Sequence, residues 1–219
     1  MKFKDTEYGD LSGQVYEGNI DVSKMKLTSL EGAPKVVEGD FDCRKNNLVT
    51  LEGAPKEIQG GFYCINNNLS SLKDAPKVVE GDFDCRKNNL VTLEGAPKEV
   101  QGNFICFLNK LTSLEGAPKI VQGDFDCSNN YLTTLEGAPK EVHGDFYCTD
   151  NKLTNLKGVS EVIQGDFYCN DNPNPNLDKE WKLRKENPNM TDDEFKLKMY
   201  ELTNDVKYIP KEAQDIFLF

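Results

Sequence analysis

Apolar and polar positions return in the same order, at the same spacing, through most of the chain. A phenylalanine stands two residues before a cysteine at Phe41/Cys43, Phe62/Cys64, Phe83/Cys85, Phe104/Cys106, Phe125/Cys127, Phe146/Cys148 and Phe167/Cys169, and each pair follows the last by 21 residues. Two leucines three apart come next, as in Leu48 and Leu51 or Leu90 and Leu93. Phe-x-Cys has the two-residue period of a strand, so Phe41 and Cys43 point one way while Asp40, Asp42 and Arg44 point the other. A fixed period this short predicts stacked copies of one small unit, each covering its neighbour's apolar face. Phenylalanine and cysteine then form interior columns on parallel strands about 4.8 Å apart.

The remaining fixed positions complete the unit. An asparagine lies three residues after every cysteine (Asn46 through Asn172), and its amide can donate and accept for backbone groups at each turn. Glycines at Gly39, Gly60, Gly81 and onward mark a place where a side chain would not fit. Prolines from Pro34 to Pro139 fix an extended back, and Val37, Ile58, Val79 and their equivalents supply its interior column. A unit this short has no room for a strand and a long helix, so the solenoid is read as strand and extended chain. Its bounds are 20–173, with an N-terminal cap at 1–19, as a short hairpin or irregular cover, and a helical C-terminal cap at 174–219. In that cap Asp178 to Glu186 reads as a helix. Thr191-Asp192-Asp193-Glu194 is a capping box opening a second helix with Phe195, Met199 and Leu202 on one face. A last short helix is expected after Pro210.

The unit Phe-x-Cys-x-x-Asn-x-Leu-x-x-Leu-x-Gly-Ala-Pro-Lys-x-Val-x-Gly-Asp resembles the leucine-rich repeat in its short bacterial form. Repeats of phage and bacterial proteins look closer still. The resemblance covers roughly residues 18–173. It implies a curved solenoid with a parallel sheet on the concave face and an extended convex side; it implies no shared partner. Some related repeat effectors carry a catalytic cysteine in a large domain after the repeats. Residues 174–219 contain no cysteine, so that activity is not carried over.

Seven cysteines in a straight column do not converge as zinc ligands do, and the opening MKFKDTEYGD has no apolar leader segment. Reduced, buried thiols in a cytoplasmic protein are expected. A net charge of −11 argues against nucleic acid or an anionic membrane as partner. The acidic columns offer calcium too few oxygens in too open an arrangement. His143 occupies a slot held elsewhere by Gln59, Gln101 or Glu38, which reads as an exposed turn. With no phosphate loop or nucleophile motif, the expectation is no enzyme, no cofactor and no metal.

Function should be written where the repeats differ. The position between Phe and Cys runs Asp42, Tyr63, Asp84, Ile105, Asp126, Tyr147, Tyr168, and the position after Cys runs Arg44, Ile65, Arg86, Phe107, Ser128, Thr149, Asn170. Residues 35–57 recur identically at 77–99, so duplication of a double unit accounts for part of the Asp/Tyr alternation. Bulky groups on a face that polar residues would satisfy nevertheless suggest a protein-binding surface. The expected site is Tyr63, Ile65, Asp82, Asp84, Arg86, Ile105, Phe107, Leu108, Asp126, Tyr147 and Tyr168. The aromatic and apolar residues would be anchors and the aspartates a steering field for a basic partner. A lysine stripe (Lys35, Lys56, Lys77, Lys98, Lys119, Lys140) on the opposite side is assigned to solubility. The leading reading is a non-enzymatic protein-binding module, more specifically a phage protein acting in the host cytoplasm on a host defence factor. The alternatives are a scaffolding or self-associating part of a larger assembly, with the tail as the associating element, and a small-molecule or glycan binder.

Overall fold

A computed structural model describes residues 1–209. The repeats wind into a β-solenoid in which every turn lays one short strand on the front and one on the back. The front sheet has eight parallel strands in chain order: Ile20–Asp21, Phe41–Asp42, Phe62–Tyr63, Phe83–Asp84, Phe104–Ile105, Phe125–Asp126, Phe146–Tyr147 and Phe167–Tyr168. Equivalent residues pair across every rung, Phe41 with Phe62 and Asp42 with Tyr63 for instance, so the 21-residue period becomes exact register. On the back, residues such as Val36–Val37 and Glu57–Ile58 pair in the same way. That layer is two four-stranded sheets, because Val78–Val79 and Glu99–Val100 lie side by side without pairing.

Between front and back the side chains stack by type. Phenylalanine rings from Phe41 to Phe167 form one continuous column with centroids 5.1–6.0 Å apart. Cysteine, leucine and valine columns fill the rest, almost all fully buried. All seven thiols are free and buried, and burial raises their pKa, that of Cys169 to about 12, so none is a ready nucleophile or ligand. Each asparagine ties two turns together. The Asn46 amide donates to Cys43 O of its own turn and Val22 O of the turn before, at 3.0 and 2.9 Å, while its oxygen accepts from Leu27 N at 2.8 Å. The same three bonds recur down the column to Asn172.

The Gly39 series owes its glycine to stacking rather than to backbone conformation. A Cβ at Gly81 would stand 2.7 Å from the carbonyl carbon of Gly60 in the turn before it, although Gly81 is not in the left-handed region.

Both ends are covered, by different means. Phe3 lies fully buried against Phe41, and Tyr8 stacks on Phe3. Val15–Tyr16 pairs in parallel with Val36–Val37, so this otherwise irregular segment adds a strand to the back of the solenoid in place of a hairpin. At the other end Trp181 of helix α1 (Leu177–Glu186) sits 4.8 Å from Phe167 and closes the ring column. Helix α2 (Asp192–Thr203) begins at the anticipated capping box, with Thr191 Oγ1 accepting from Glu194 N. Phe195 and Met199 are buried with Leu183 and Tyr208, whereas Leu202 is exposed. The buried Glu180 carboxylate accepts from Asn174 and Tyr208, locking this second small core to the last turn. A 3-10 turn at Val206–Tyr208 had no clear sequence signal, and the helix expected after Pro210 lies outside the described residues.

Candidate partner-binding face

Front-face chemistry is set by two outward columns that the solenoid uses differently. In the first, one position before each phenylalanine, a side-chain oxygen accepts from the backbone N–H of the next turn. Asn19 caps Asp40, Asp40 caps Gly61, Asp82 caps Asn103, Asn103 caps Asp124, Asp124 caps Asp145 and Asp145 caps Asp166, at 2.7–2.8 Å. Gly61 interrupts this series because it has no side chain. The Tyr63 ring occupies the space instead: a Cβ on Gly61 would lie 2.5 Å from the ring carbon that bears the hydroxyl.

The second column lies between Phe and Cys, and here bulky and acidic residues alternate. Asp84 is flanked in register by Tyr63 and Ile105, and only 3% of it remains exposed. Its carboxylate accepts from Arg86 N at 3.2 Å and pairs with Arg86 Nε at 3.3 Å. Burial dominates over that pairing and lifts its pKa to about 6. Asp42 is buried and pairs with Arg44 at 2.7 Å; Asp126, half-buried, caps Ser128 N. Burial raises both, the Arg44 and Ser128 contacts opposing it.

These placements revise the expected site. Asp84 belongs to the wall beneath Tyr63 and Ile105 and is not part of a solvated steering field. Ile65 is buried at 6% exposure and so is no surface anchor: its side chain closes the turn after Cys64. Asp82 is half-buried and spends one carboxylate oxygen on Asn103 N. Tyr63, Ile105 and Phe107 are half-buried, with the Arg86 guanidinium 5.4 Å from the centre of the Phe107 ring. Leu108 is exposed and has left-handed backbone, φ 54°. At the C-terminal end Tyr147 and Tyr168 stack at 4.7 Å, nearly parallel. Their hydroxyls donate to Asp145 and Asp166 at 2.8 and 3.4 Å; the hydrogen bond to Asp145 holds the Tyr147 phenol well above the usual range, and the negative charge of Asp166 raises that of Tyr168. Asp145 and Asp166, outside the expected set, thus orient two of its members; the signal was their place two residues before a tyrosine.

What results is a strip of aromatic and apolar side chains laid over carboxylates, most acidic at Asp124, Asp145 and Asp166. The lysine stripe is exposed on the back. Among the described residues no three metal-ligating side chains converge, and no helix is long and apolar enough to cross a membrane. Comparison of the chain with protein-family models, curated proteins and solved structures gives no match.

Proposed function

We propose that this solenoid is a non-enzymatic protein-binding module and that its front face, from Tyr63 to Tyr168, is the contact surface. One observation carries the reading. Aspartate satisfies the fold at the outward strand position in four of the eight front turns (Asp21, Asp42, Asp84 and Asp126), yet Tyr63, Ile105, Tyr147 and Tyr168 replace it. The stacked pair Tyr147–Tyr168, with hydroxyls held by carboxylates, is rigid, amphipathic and costs little entropy to immobilise further. Its acidic border suits a partner presenting arginine or lysine side chains. Resemblance to phage-borne repeats supports the narrower reading of a protein that acts on a host factor in the host cytoplasm.

Capture of partners from a bacterial lysate on immobilised protein, followed by quantitative mass spectrometry, tests this. A specifically captured protein should be lost with Tyr168→Ala or Tyr147→Ala and kept with Lys56→Ala or Lys98→Ala on the back. Each tyrosine should contribute about 2 kcal/mol of affinity, with the melting temperature nearly unchanged. Capture that depends on the lysines and ignores the tyrosines would move the surface to the back.

A further inference from the structure

The turn that follows each cysteine contains one residue in the left-handed region. That position holds Lys24, Lys45, Asn66, Lys87, Leu108, Asn129, Asp150 and Asp171, with φ between 51° and 59°. Asparagine and aspartate tolerate this conformation through local hydrogen bonding, and a flexible lysine can still send its charge into water. Leucine has neither advantage, and Leu108 is 43% exposed. One turn on, Tyr131 is 54% exposed at a position that elsewhere holds Asn47, Asn68, Asn89, Lys110 or Lys152. The two side chains line one groove of about 340 Å³ with Lys110 and Lys152 on its rim. Phe107, the residue before Leu108, has the Arg86 guanidinium over its ring.

The charge here is opposite to that of the chain as a whole. Among the described residues Lys110 and Lys152 make no ion pair, and Asp150 is the one carboxylate lining the groove with them; Lys45, Lys87 and Asp171 lie further along the same row of turns. An exposed leucine in a strained backbone and an exposed tyrosine both oppose stability, and such outliers cluster where a surface is used.

Taking the solenoid as a protein-binding module, we infer that this groove takes an acidic protein segment, with a bulky apolar side chain seated between Leu108 and Tyr131 and carboxylates paired with Lys110 and Lys152. Two apolar walls set between ammonium groups match that segment in shape and in charge. Nucleic acid would meet the same lysines but finds no use for Leu108, and it is repelled by the −11 net charge.

The probe is a capped eight-residue peptide with Phe-Leu at its centre and three glutamates on either side, titrated into the isotope-labelled full chain. Amide shifts should concentrate at residues 107–110, 129–131 and 150–152. Leu108→Asn and Tyr131→Asn, which install residues native to the same positions in other turns, should each weaken binding by about tenfold. Leu108→Asn should at the same time melt at or above the parent temperature. No saturable shift, shifts confined to the front face, equal binding of a lysine-flanked peptide or of a ten-nucleotide thymidine strand, or a lowered melting temperature for Leu108→Asn would each overturn the assignment. Those results leave the captured partner's dependence on Tyr147 and Tyr168 untouched, so the two readings fail separately.

Discussion

The inward and outward sides of one front strand obey different rules. Inward, Phe104 and Cys106 have the same neighbour above and below, and every turn from Phe41 to Phe167 repeats them. Outward, Ile105 stands between Asp84 and Asp126, and the column changes residue type at nearly every rung. The inner columns are uniform because each side chain packs against a copy of itself one turn away, so any change opens a void or a clash on two sides. Outer positions touch water on one side and tolerate exchange. A solenoid therefore separates stability from recognition within a two-residue strand.

The sharpest way to break that comparison is to cut one inner column. Asn109 donates to Cys85 O at 3.1 Å and Cys106 O at 3.0 Å and accepts from Leu90 N at 3.1 Å, all in the interior. Asn109→Ala leaves the buried Leu90 N–H without an acceptor and removes one of the two amide donors from each of Cys85 O and Cys106 O, which keep Asn88 and Asn130; it should cost about 2–4 kcal/mol, seen as a clear fall of the denaturation midpoint. Asn68→Ala, at an exposed neighbouring position, should change it little. Equal losses in the two variants would show that the asparagine column is not what joins the turns.

The inner half was legible in the sequence because a column repeated at fixed spacing can be read without knowing any distance. Phe, Cys, Asn, Leu and Val all lie where the period puts them, and the Thr191 capping box and Trp181 helix followed from local signals. The outer half was legible only as a list of positions. Alternation places Asp84 outside, but its burial comes from Tyr63 and Ile105 on the adjacent strands, a cross-strand effect that no single turn encodes. Ile65 was misplaced because the strand stops at Tyr63, and two-residue alternation no longer governs the turn beyond it. The N-terminal parallel strand was hidden because Val15–Tyr16 joins the back sheet without the Phe-x-Cys signature.

An intermediate effect is expected from pH, at the one outward carboxylate that behaves as if inward. The folded-state pKa of Asp84, about 6, lies above the 3.8 of an unperturbed aspartate, so the folded chain binds this proton more tightly. Its contribution to stability is therefore largest below about pH 4 and is lost as pH rises through 6. Between pH 7 and pH 5 the parent should gain about 1–2 kcal/mol relative to Asp84→Asn, which cannot take up the proton. Carboxylates held below the usual range, such as Asp145 by the Asp166 amide, act in the opposite sense and are common to both chains, so the difference isolates Asp84. Parallel stability profiles for the two proteins would mean that Tyr63 and Ile105 do not shield it.

The smallest net effect should come from rebuilding the one outward position where two columns exchange roles. Gly61 carries no cap for Asp82 N, and the Tyr63 ring lies in the space a side chain would need. Gly61→Asn alone drives a side chain into that ring and should cost about 1–3 kcal/mol. Tyr63→Ala alone removes the ring and uncovers Asp84, a cost of about 1 kcal/mol. Combined, the asparagine gains both room and a task, because Asn19 and Asn103 cap the following turn from the same position at 2.7–2.8 Å. The pair should then couple favourably by about 1–2 kcal/mol and leave the double variant close to the parent in stability. Additive losses in the four melting curves would show that Gly61 is required for its backbone and not to make room for Tyr63. If the double variant is stable and yet has lost a partner captured by the parent, then Tyr63 serves recognition, because the fold can satisfy Gly61 and its neighbours without it.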